Sequence, residues 1–472
     1  MSGDYDVAIV GAGPAGGNAA LAAAQHGLRV LLLDEQPAAG GQVWRAKSSA
    51  ILAAPATEES TAGTSLRNRL AQSSVTHLRG ARVWQMSQDD GWKLEVLQGG
   101  SSETYTAKKL VLATGAREYV QPVPGWTTPG VIGLAGATAL FKQNLRAPGL
   151  RTVVCGTGPL VFYVASEIRR LGGIVAAVIT PNARMDWARA TPALVRHPAL
   201  LARGALWVAD LKLAGVPIYW QHAVTSVDGD TEVTAVEFAP LSHDWTPEAS
   251  REVIRADSLC LGNGLIPQIE AAQMLGVPLT HDAQLGGWVP RAAPDGVTDV
   301  AGLYLCGDGA GIRGAEAAVH QGTLTGLRIA ADMGFDTSTA RDSTRALWAR
   351  AARLGRAMTA LSIPRAGVAR LSKDDTVVCR CEGITKAGIT QEITQGAGSC
   401  NAVKSGLRAG MGPCGGKFCQ TAVAQIICTE TGQDVAQVAP PTARPPLCPV
   451  PLDAAAGAFD YDALPIPKPA PL

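Results

Sequence analysis

Short apolar runs that end in glycine-rich turns form the main pattern along the chain. The first run, Asp6–Val10, is followed by a turn at 11–16, an alanine-rich stretch at 18–25 and a second apolar run at 29–33. This order predicts a strand, a helix and a second, parallel strand, because parallel strands are joined through a crossover that is usually a helix. The same order returns at 152–179, which indicates an internal duplication.

The later part of the chain changes character twice. Helical patterns at 315–329 and 339–361 precede a cysteine-bearing segment at 376–432, in which helices are expected at 384–395, at 400–408 and after Cys419. The tail from residue 440 holds ten of the thirty prolines. Proline lacks a backbone N–H, so we expect this tail to form no helix or sheet of its own and to lie as an arm on another domain or chain.

Composition and charge narrow the classes of function. Of 472 residues, 47% are hydrophobic and 17% are charged, and 41 basic against 40 acidic residues give a net charge of +1. This balance argues against nucleic acid as a partner, because nucleic-acid-binding proteins usually carry a basic excess. No apolar run reaches the ~18 residues that span a bilayer. The N-terminus also lacks the pattern of a signal peptide, so we expect no transmembrane segment and a cytoplasmic protein.

The first glycine turn has the spacing of a dinucleotide-binding loop. Gly11 permits a tight turn, Gly13 lets the backbone approach a pyrophosphate, and Gly16 lets the helix pack close to the strand. The N-terminus of the helix favours phosphate, and Asp34 at the end of the second strand can accept hydrogen bonds from ribose hydroxyls. A tight-turn unit without a ligand is the alternative that these residues leave open.

Two further segments favour FAD over NAD. A buried-strand pattern ends in Ala113-Thr114-Gly115, and another ends in Gly307-Asp308, whose carboxylate can bond a ribityl chain. A glycine-rich stretch at 309–314 then opens the helix at Ala315, where N–H groups can face the flavin or its phosphates.

These segments resemble the two-dinucleotide-domain flavoproteins of the glutathione-reductase type over residues 5–335, and Gly40-Gly41-Gln42 resembles their loop toward the isoalloxazine ring. The chain has no Cys-x-x-Cys pair, so a dithiol reductase is not expected. With the resemblance, the expected FAD-binding positions are Gly11, Gly13, Pro14, Ala15, Gly16, Asp34, Glu35, Gly41, Gln42, Ala113, Thr114, Gly115, Gly307, Asp308, Gly314 and Ala315.

The second unit is altered where a nicotinamide nucleotide would bind. Gly156 and Gly158 are present, but Val161 stands where a third glycine or alanine is expected, and no carboxylate follows the strand that ends at Ile179. A β-branched residue at position 161 is expected to push the helix away from the strand. We expect a scaffold that no longer binds nicotinamide or that holds another adenine nucleotide. A working NAD(P) site is the alternative.

Seven of the ten cysteines lie between Cys379 and Cys448, which indicates metal or redox chemistry more than a disulfide framework. Cys379-Arg-Cys381 can project two thiolates from one loop, and Cys414 and Cys419 frame a glycine-rich loop whose N–H groups can donate to sulfur. These pairs favour a 2Fe–2S cluster. Zinc, which usually takes Cys-x₂₋₄-Cys knuckles, and free thiols are the alternatives.

The segment resembles the bacterioferritin-associated-ferredoxin-like 2Fe–2S domain, which implies Cys379, Cys381, Cys414 and Cys419 as ligands. The sequences Cys-Arg-Cys-Glu-Gly-Ile at 379–384 and Gly-Met-Gly-Pro-Cys-Gly-Gly-Lys-Phe-Cys at 410–419 resemble one subgroup more closely. That subgroup is the A-type or α subunits of opine oxidases, D-hydroxyproline dehydrogenases and hydrogen cyanide synthase. The resemblance implies an oxidoreductase acting on CH–NH or CH–NH2 groups within a hetero-oligomer.

The same resemblance implies partners. A smaller FAD subunit, similar to glycine and sarcosine oxidases, would oxidise an opine, D-hydroxyproline, proline or glycine, and this chain would pass the electrons to an external acceptor. Further candidates are an FMN at a subunit interface and a small 2Fe–2S ferredoxin-like subunit. The sequence offers no catalytic constellation of its own, so no catalytic residue is assigned. The alternatives are a self-contained NAD(P)H-dependent flavin reductase and a non-catalytic assembly subunit.

The expected fold is α/β, with two Rossmann-like dinucleotide domains of the glutathione-reductase type, a small, mainly helical 2Fe–2S domain and a Pro-rich tail. The expected boundaries are 1–125 and 291–345 for the FAD-binding domain, 126–290 for the second nucleotide-binding domain, 346–375 for a helical linker, 376–435 for the cluster domain and 436–472 for the arm.

Overall fold

The computed structural model of the chain describes residues 5–51 and 53–456. The predicted strand–helix–strand unit forms at its start, where the Val-Leu-Leu-Leu-Asp sequence of the second strand is buried throughout. The elements up to residue 112 are β1 (Tyr5–Val10), α1 (Pro14–Ala24), β2 (Val30–Asp34), α2 (Glu58–Ala71), β3 (Thr76–Arg79), β4 (Arg82–Asp89), β5 (Gly91–Gln98) and β6 (Ser101–Leu112).

The second unit follows after a short connecting strand. Its elements and those that lead back to the first sheet are β7 (Ala116–Glu118), β8 (Val131–Gly133), α3 (Leu134–Asn144), β9 (Arg151–Gly156), α4 (Leu160–Arg170), β10 (Ile174–Thr180), α5 (Arg184–Leu194), α6 (Pro198–Leu213), β11 (Ile218–Trp220), β12 (His222–Asp228), β13 (Ala235–Pro240), β14 (Glu252–Arg255), β15 (Ser258–Gly262), β16 (Leu265–Pro267), α7 (Glu270–Met274), β17 (Leu279–Asp282) and β18 (Gly287–Pro290).

The last third returns to the first sheet and then becomes mainly helical. It contains β19 (Leu303–Leu305), α8 (Ala315–Asp332), α9 (Ser338–Thr359), β20 (Val377–Cys379), β21 (Ile384–Thr385), α10 (Lys386–Thr394), α11 (Cys400–Leu407), α12 (Gln420–Thr431) and α13 (Leu452–Ala456). The helices expected after residues 315, 339, 384, 400 and 419 are therefore confirmed within a few residues.

Two mainly parallel sheets form the frame. The first runs in the order β3-β2-β1-β6-β5-β4, with β19 paired to β6, and the second runs β11-β10-β9-β15-β8. In the first sheet β19 adds in parallel to β6, while β4, β5 and β6 pair antiparallel. The expected α/β class with two Rossmann-type sheets and a mainly helical C-terminal part is confirmed. β7 and β16 pair where the chain passes between the two sheets.

Two glycines of α8 allow this helix to lie close against α1. A Cβ on Gly322 would lie 2.0 Å from the carbonyl oxygen of Ala15, and one on Gly326 would lie 2.4 Å from that of Ala19. No side chain fits at either place, so the two helices cross with their backbones in contact. This packing places α8, which follows β19 in the chain, against the helix that follows the first glycine loop.

The Pro-rich arm runs back over the first sheet. Leu447 donates its N–H to the carbonyl oxygen of Trp84 at 2.8 Å, and Ala443 donates to the side chain of Gln273 at 2.8 Å. The expectation of no helix in this arm was wrong at one place, because α13 forms in the alanine-rich run after Pro451, where proline is tolerated at a helix start. The remainder of the arm, 457–472, lies outside the described residues.

Candidate flavin and iron–sulfur site

One cavity of about 1190 Å³ lies along the carboxyl ends of the strands of the first sheet. Parallel sheets bind their ligands at this edge. Of the FAD-binding positions expected from sequence, all but Gly16 and Gly314 line the cavity. The structure thus brings together four separate stretches, at 11–15, 34–42, 113–115 and 307–315, around one space.

The glycine loop presents bare backbone to this cavity. A Cβ on Gly13 would have no atom closer than Gly41 Cα at 3.8 Å, so the missing side chain leaves open space in the cavity rather than relieving a clash inside the protein. By contrast, a Cβ on Gly16 would lie 1.8 Å from Gly11 O, which explains why Gly16 is needed for packing. Helix α1 begins behind Gly13 with no side-chain cap, and its first-turn N–H groups suit a diphosphate.

Two carboxylates flank the loop, Asp34 buried and Asp308 half-buried. Asp34 accepts hydrogen bonds from the N–H of Ala12 at 2.5 Å and of Gln36 at 2.7 Å, and its side chain lines the cavity. Asp308 accepts from the N–H of Arg313 and Gly314, at 2.9 and 3.0 Å. Burial raises the pKa of both carboxyls, against the lowering effect of these N–H donors.

Gly314 was expected to be an FAD-binding position, and the structure places it beside the cavity lining rather than on it. Gly314 does not line the cavity, and its N–H donates to Asp308, whereas Asp308 and Ala315 do line it. Residues at the positions that FAD requires therefore fit the group: an open glycine loop, an uncapped helix N-terminus and two carboxylates at strand ends. When bound, FAD supplies one- and two-electron redox chemistry.

The second glycine loop is covered by the chain itself. Thr157 donates its hydroxyl to Ser362 Oγ at 2.9 Å, and the N–H of Gly158 donates to Asn182 Oδ1 at 3.1 Å. Asn182 in turn donates to the carbonyl oxygen of Leu361 at 2.7 Å. The segment after α9 therefore lies on the turn where a pyrophosphate would bind, and it uses the N–H of Gly158 indirectly through Asn182.

Val161 does not behave as the sequence suggested. It is completely buried and packs in one apolar cluster with Leu134, Phe141 and Val178. The Val161 side chain is therefore accommodated against α3 and the sheet, and α4 is not pushed away from the sheet.

The four expected cluster cysteines meet as two thiol pairs. Cys379 contacts Cys419, and Cys381 contacts Cys414, while the backbone N–H of Gly410 points at Cys379. Over residues 5–51 and 53–456, no group of three or more His, Cys, Asp or Glu side chains surrounds a single ion position. A 2Fe–2S cluster needs two ligands on each iron, so two adjacent pairs with nearby N–H donors fit it.

The pKa values of the two thiols of one pair, Cys379 and Cys419, are shifted in opposite directions. A hydrogen bond from Cys419 lowers the pKa of Cys379 to about 5, helped by backbone N–H groups and opposed by burial. The same hydrogen bond, together with burial, raises the pKa of Cys419. Cys379 and Cys419 are buried, Cys414 is half-buried and Cys381 is exposed, so one edge of this site faces outward.

Sequence reasoning missed that the cluster loops form part of the flavin cavity. Arg380, Lys417 and Phe418, which neighbour the cysteines in sequence, line the same cavity as Gly13 and Asp308. The signal was present in the sequence only as an arginine between two cysteines and as Lys-Phe before a third. Nothing in the spacing of the chain shows that the two sites share a wall.

A second missed residue is Glu118, at the end of β7. Its Oε1 accepts from the N–H of Ala135 at 2.9 Å, at the start of α3, and the side chain lines the cavity. Burial raises the pKa of Glu118 to about 8, although the N–H groups of Leu134, Ala135 and Gly136 lower it. Beside it, Arg117 pairs with Glu270 at 2.6 Å and donates to Gln420 at the start of α12.

No helix in the described part of the chain is both long and apolar enough to cross a membrane.

Two family models match the chain. Residues 5–322 match the family described as "Pyridine nucleotide-disulphide oxidoreductase", and residues 377–428 match the "BFD-like [2Fe-2S] binding domain". The first implies FAD and the second a 2Fe–2S cluster. Together they cover the flavin-type cavity and the four cysteines.

Curated relatives match over nearly the full length. The chain is 32% identical to the A-type subunit of opine oxidase from Agrobacterium tumefaciens (strain Ach5), over 91% of this chain and 87% of the relative. It is also 32% identical to hydrogen cyanide synthase subunit HcnB of Pseudomonas aeruginosa, over 94% and 97%. Among solved structures, L-proline dehydrogenase from P. horikoshii matches with a TM-score of 0.74 at 21% identity, covering 96% of this chain and 80% of that one. This last likeness shows the fold alone.

Proposed function

Because this chain belongs to the family of the A-type opine oxidase subunits and of hydrogen cyanide synthase subunit HcnB, we propose that it is the electron-transfer subunit of a hetero-oligomeric dehydrogenase. The chain is a flavoprotein oxidoreductase subunit with a 2Fe–2S domain. Its proposed task is to take electrons from a partner flavin and deliver them, through its own FAD and cluster, to an external acceptor.

One observation carries the proposal: a single cavity is lined by the flavin-type motifs and by residues of both cluster loops. Gly13 and Asp308 lie on one side of it, and Arg380, Lys417 and Phe418 on another. An FAD in this cavity and a cluster bound by the adjoining loops would lie close together, which suits electron transfer between them. We propose the expected FAD positions that line the cavity as contacts of the cofactor, with Gly16 and Gly314 shaping the loops around it, and Cys379, Cys381, Cys414 and Cys419 as cluster ligands.

The covered second glycine loop supports a partner as the source of electrons. A nicotinamide nucleotide would need the turn at Gly156–Gly158, where Ser362 and Asn182 already make hydrogen bonds. The self-contained NAD(P)H reductase is therefore the weaker function. The substrate site is proposed to lie on a smaller FAD subunit that oxidises a CH–NH or CH–NH2 bond of an amino acid or secondary amine such as an opine, hydroxyproline, proline or glycine.

Further parts of the proposal follow the same family. An FMN at the subunit interface and a small ferredoxin-like subunit would extend the electron path, and the second sheet would hold an adenine nucleotide or none. We propose the FAD-binding domain at 1–125 and 291–345, the second nucleotide domain at 126–290, the linker at 346–375, the cluster domain at 376–435 and the arm at 436–472.

Anaerobic electron counting on the purified chain tests this function. The chain is titrated with dithionite while flavin absorbance and the electron-paramagnetic signal of the reduced cluster are recorded. We expect both centres to take up electrons in the wild type. Cys381→Ser should abolish the cluster signal and leave the flavin, whereas Cys428→Ser, at a cysteine outside the proposed ligand set, should keep both.

The substrate side is tested by adding sarcosine, glycine, proline or an opine to the chain alone. The flavin should stay oxidised with each of them, since the substrate site is assigned to the partner. Bleaching of the isolated chain by any of these amines would contradict the division of labour. A wild-type chain that binds flavin but no iron after anaerobic reconstitution would contradict the transfer role itself.

A further inference from the structure

The side chain of Arg380 lies between two aromatic rings at the shared wall of the cavity. Its guanidinium carbon is 5.0 Å from the centre of the Trp126 ring and 5.2 Å from that of Phe418. All three side chains line the flavin-type cavity. A planar guanidinium can stack on aromatic faces, which the ammonium of lysine cannot do in the same way.

Each ring in this stack is tied to a cluster loop. The indole N–H of Trp126 donates to the carbonyl oxygen of Val377 at 2.7 Å, two residues before the ligand Cys379. Phe418 directly precedes Cys419, the thiol that contacts Cys379. The stack therefore joins Trp126 to both cysteine loops, through Arg380 in the first loop and Phe418 in the second.

The charge of Arg380 is not neutralised within the protein. No carboxylate pairs with it anywhere in the described ranges, although neighbouring Arg408 pairs with Glu382 at 3.1 Å. Arg380 lies between the proposed ligands Cys379 and Cys381 in the chain, and its guanidinium contacts the ring of Phe418, the residue before Cys419. A cluster bound by these cysteines would be anionic through its thiolates and sulfides, and this positive charge would be near it. A nearby positive charge stabilises the reduced, more negative form of such a group.

We propose that Arg380 is a positioning residue with an electrostatic role: held between Trp126 and Phe418, it keeps the cluster loops against the flavin cavity and raises the reduction potential of the cluster. The proposal rests on the proposed function, because it assumes that both cofactors are bound. It assigns the charge to Arg380 and the alignment to the stack, and these two effects can be separated by substitution.

The test compares four variants in EPR-monitored redox titrations of the full chain: Arg380→Gln, Arg380→Lys, Phe418→Leu and, as a matched charge control, Lys404→Gln. Lys404 lies in the same segment, on α11, and does not line the cavity. At the midpoint potential of the wild type, Arg380→Gln should leave about ten times more oxidised than reduced cluster, a shift of about 59 mV for a one-electron couple. Arg380→Lys and Lys404→Gln should stay within about twofold of the wild type.

Phe418→Leu keeps the charge and removes one face of the stack. We expect an almost unchanged cluster potential but slower equilibration of electrons between flavin and cluster, measured by stopped-flow absorbance. The proposal is overturned if Arg380→Gln binds a full cluster at the wild-type potential. It is also overturned if Arg380→Lys shifts the potential as far as Arg380→Gln, since the charge would then not be the cause.

If Arg380→Gln fails to assemble a cluster, Arg380→Lys and Phe418→Leu still decide the point. Wild-type potential in Arg380→Lys with slower transfer in Phe418→Leu supports the proposal, and normal transfer in Phe418→Leu contradicts the aligning role. Absence of any cluster in the wild type would refute the proposed function instead, so the two failures are distinguishable.

Discussion

The two glycine loops of this chain share a local design and have opposite surroundings. The first, at 11–16, faces a large cavity with bare backbone, and the second, at 156–158, is covered by Ser362 and braced by Asn182. Both follow a buried parallel strand and precede a helix. The acceptor for the N–H groups of the turn differs, since it is Asp34 at the end of β2 in the first unit and Asn182 after β10 in the second. The second turn also has Ser362, from the segment after α9, hydrogen-bonded to it. A dinucleotide fold can thus be retained as scaffold once a distant segment of the chain occupies its turn.

The largest effect is expected from a side chain placed in the open loop. Gly13→Asp should lose flavin at least tenfold, because the carboxylate would repel a diphosphate, while the fold survives since Asp is a good N-cap residue and space exists for its Cβ. The flavin-to-protein absorbance ratio measures the loss. Thr157→Val in the covered loop should keep its flavin, and equal flavin in Gly13→Asp and the wild type would refute the assignment of the open loop.

A smaller effect is expected at the acid of the first unit. Asp34→Asn keeps one acceptor oxygen and replaces the other with an NH2 group, so only one of the N–H groups of Ala12 and Gln36 keeps its acceptor. We expect FAD affinity to fall about tenfold, which corresponds to about 1.4 kcal/mol. Titration of apoprotein with FAD, followed by fluorescence quenching, gives the dissociation constant. An unchanged constant would show that Asp34 serves the loop alone.

In the second unit, substitution of Asn182 should lower stability and leave the flavin content unchanged. Asn182→Ala leaves the N–H of Gly158 and the carbonyl of Leu361 without their partner. Loss of these buried hydrogen bonds should lower the free energy of unfolding by about 1–3 kcal/mol. Urea unfolding measures this cost, and the flavin ratio is the control. A large loss of flavin with unchanged stability would reverse the roles given to the two loops.

An effect that depends on pH is expected at Glu118, between the two sheets. Burial raises the folded-state pKa of Glu118 from 4.5 to about 8, so the native protein holds a proton that the unfolded chain releases between these values. The wild type therefore loses stability as pH rises from about 4.5 to about 8, and Glu118→Gln does not. As pH rises through this range, the melting temperature of Glu118→Gln should rise relative to that of the wild type. A pH-independent difference would contradict a buried, protonated carboxyl.

Sequence predicted the parts of this molecule that depend on short-range pattern. The first unit and the return segment with β19 and the Gly307-Asp308 turn were readable because turn and strand signals are local. The four cysteines stay a prediction as ligands, which the two thiol pairs support. Ser362 on the second loop was not readable, since the contact joins positions about two hundred residues apart in the chain and no motif encodes it. The same holds for Arg380 and Phe418, whose part in the flavin cavity depends on how the cluster segment docks. The expectation that Val161 pushes the helix off the strand was wrong because its side chain packs against α3, a contact that the local sequence does not show.

The most direct test of the account is whether the chain accepts electrons from a nicotinamide nucleotide. The purified, flavin-loaded chain is mixed anaerobically with NADH and then with NADPH while flavin absorbance is followed. The account predicts no rapid bleaching with either nucleotide in a sample that dithionite does reduce, because the second glycine loop is covered by Ser362 and held by Asn182. Rapid bleaching by NADH or NADPH would contradict it and would make the chain a self-contained reductase.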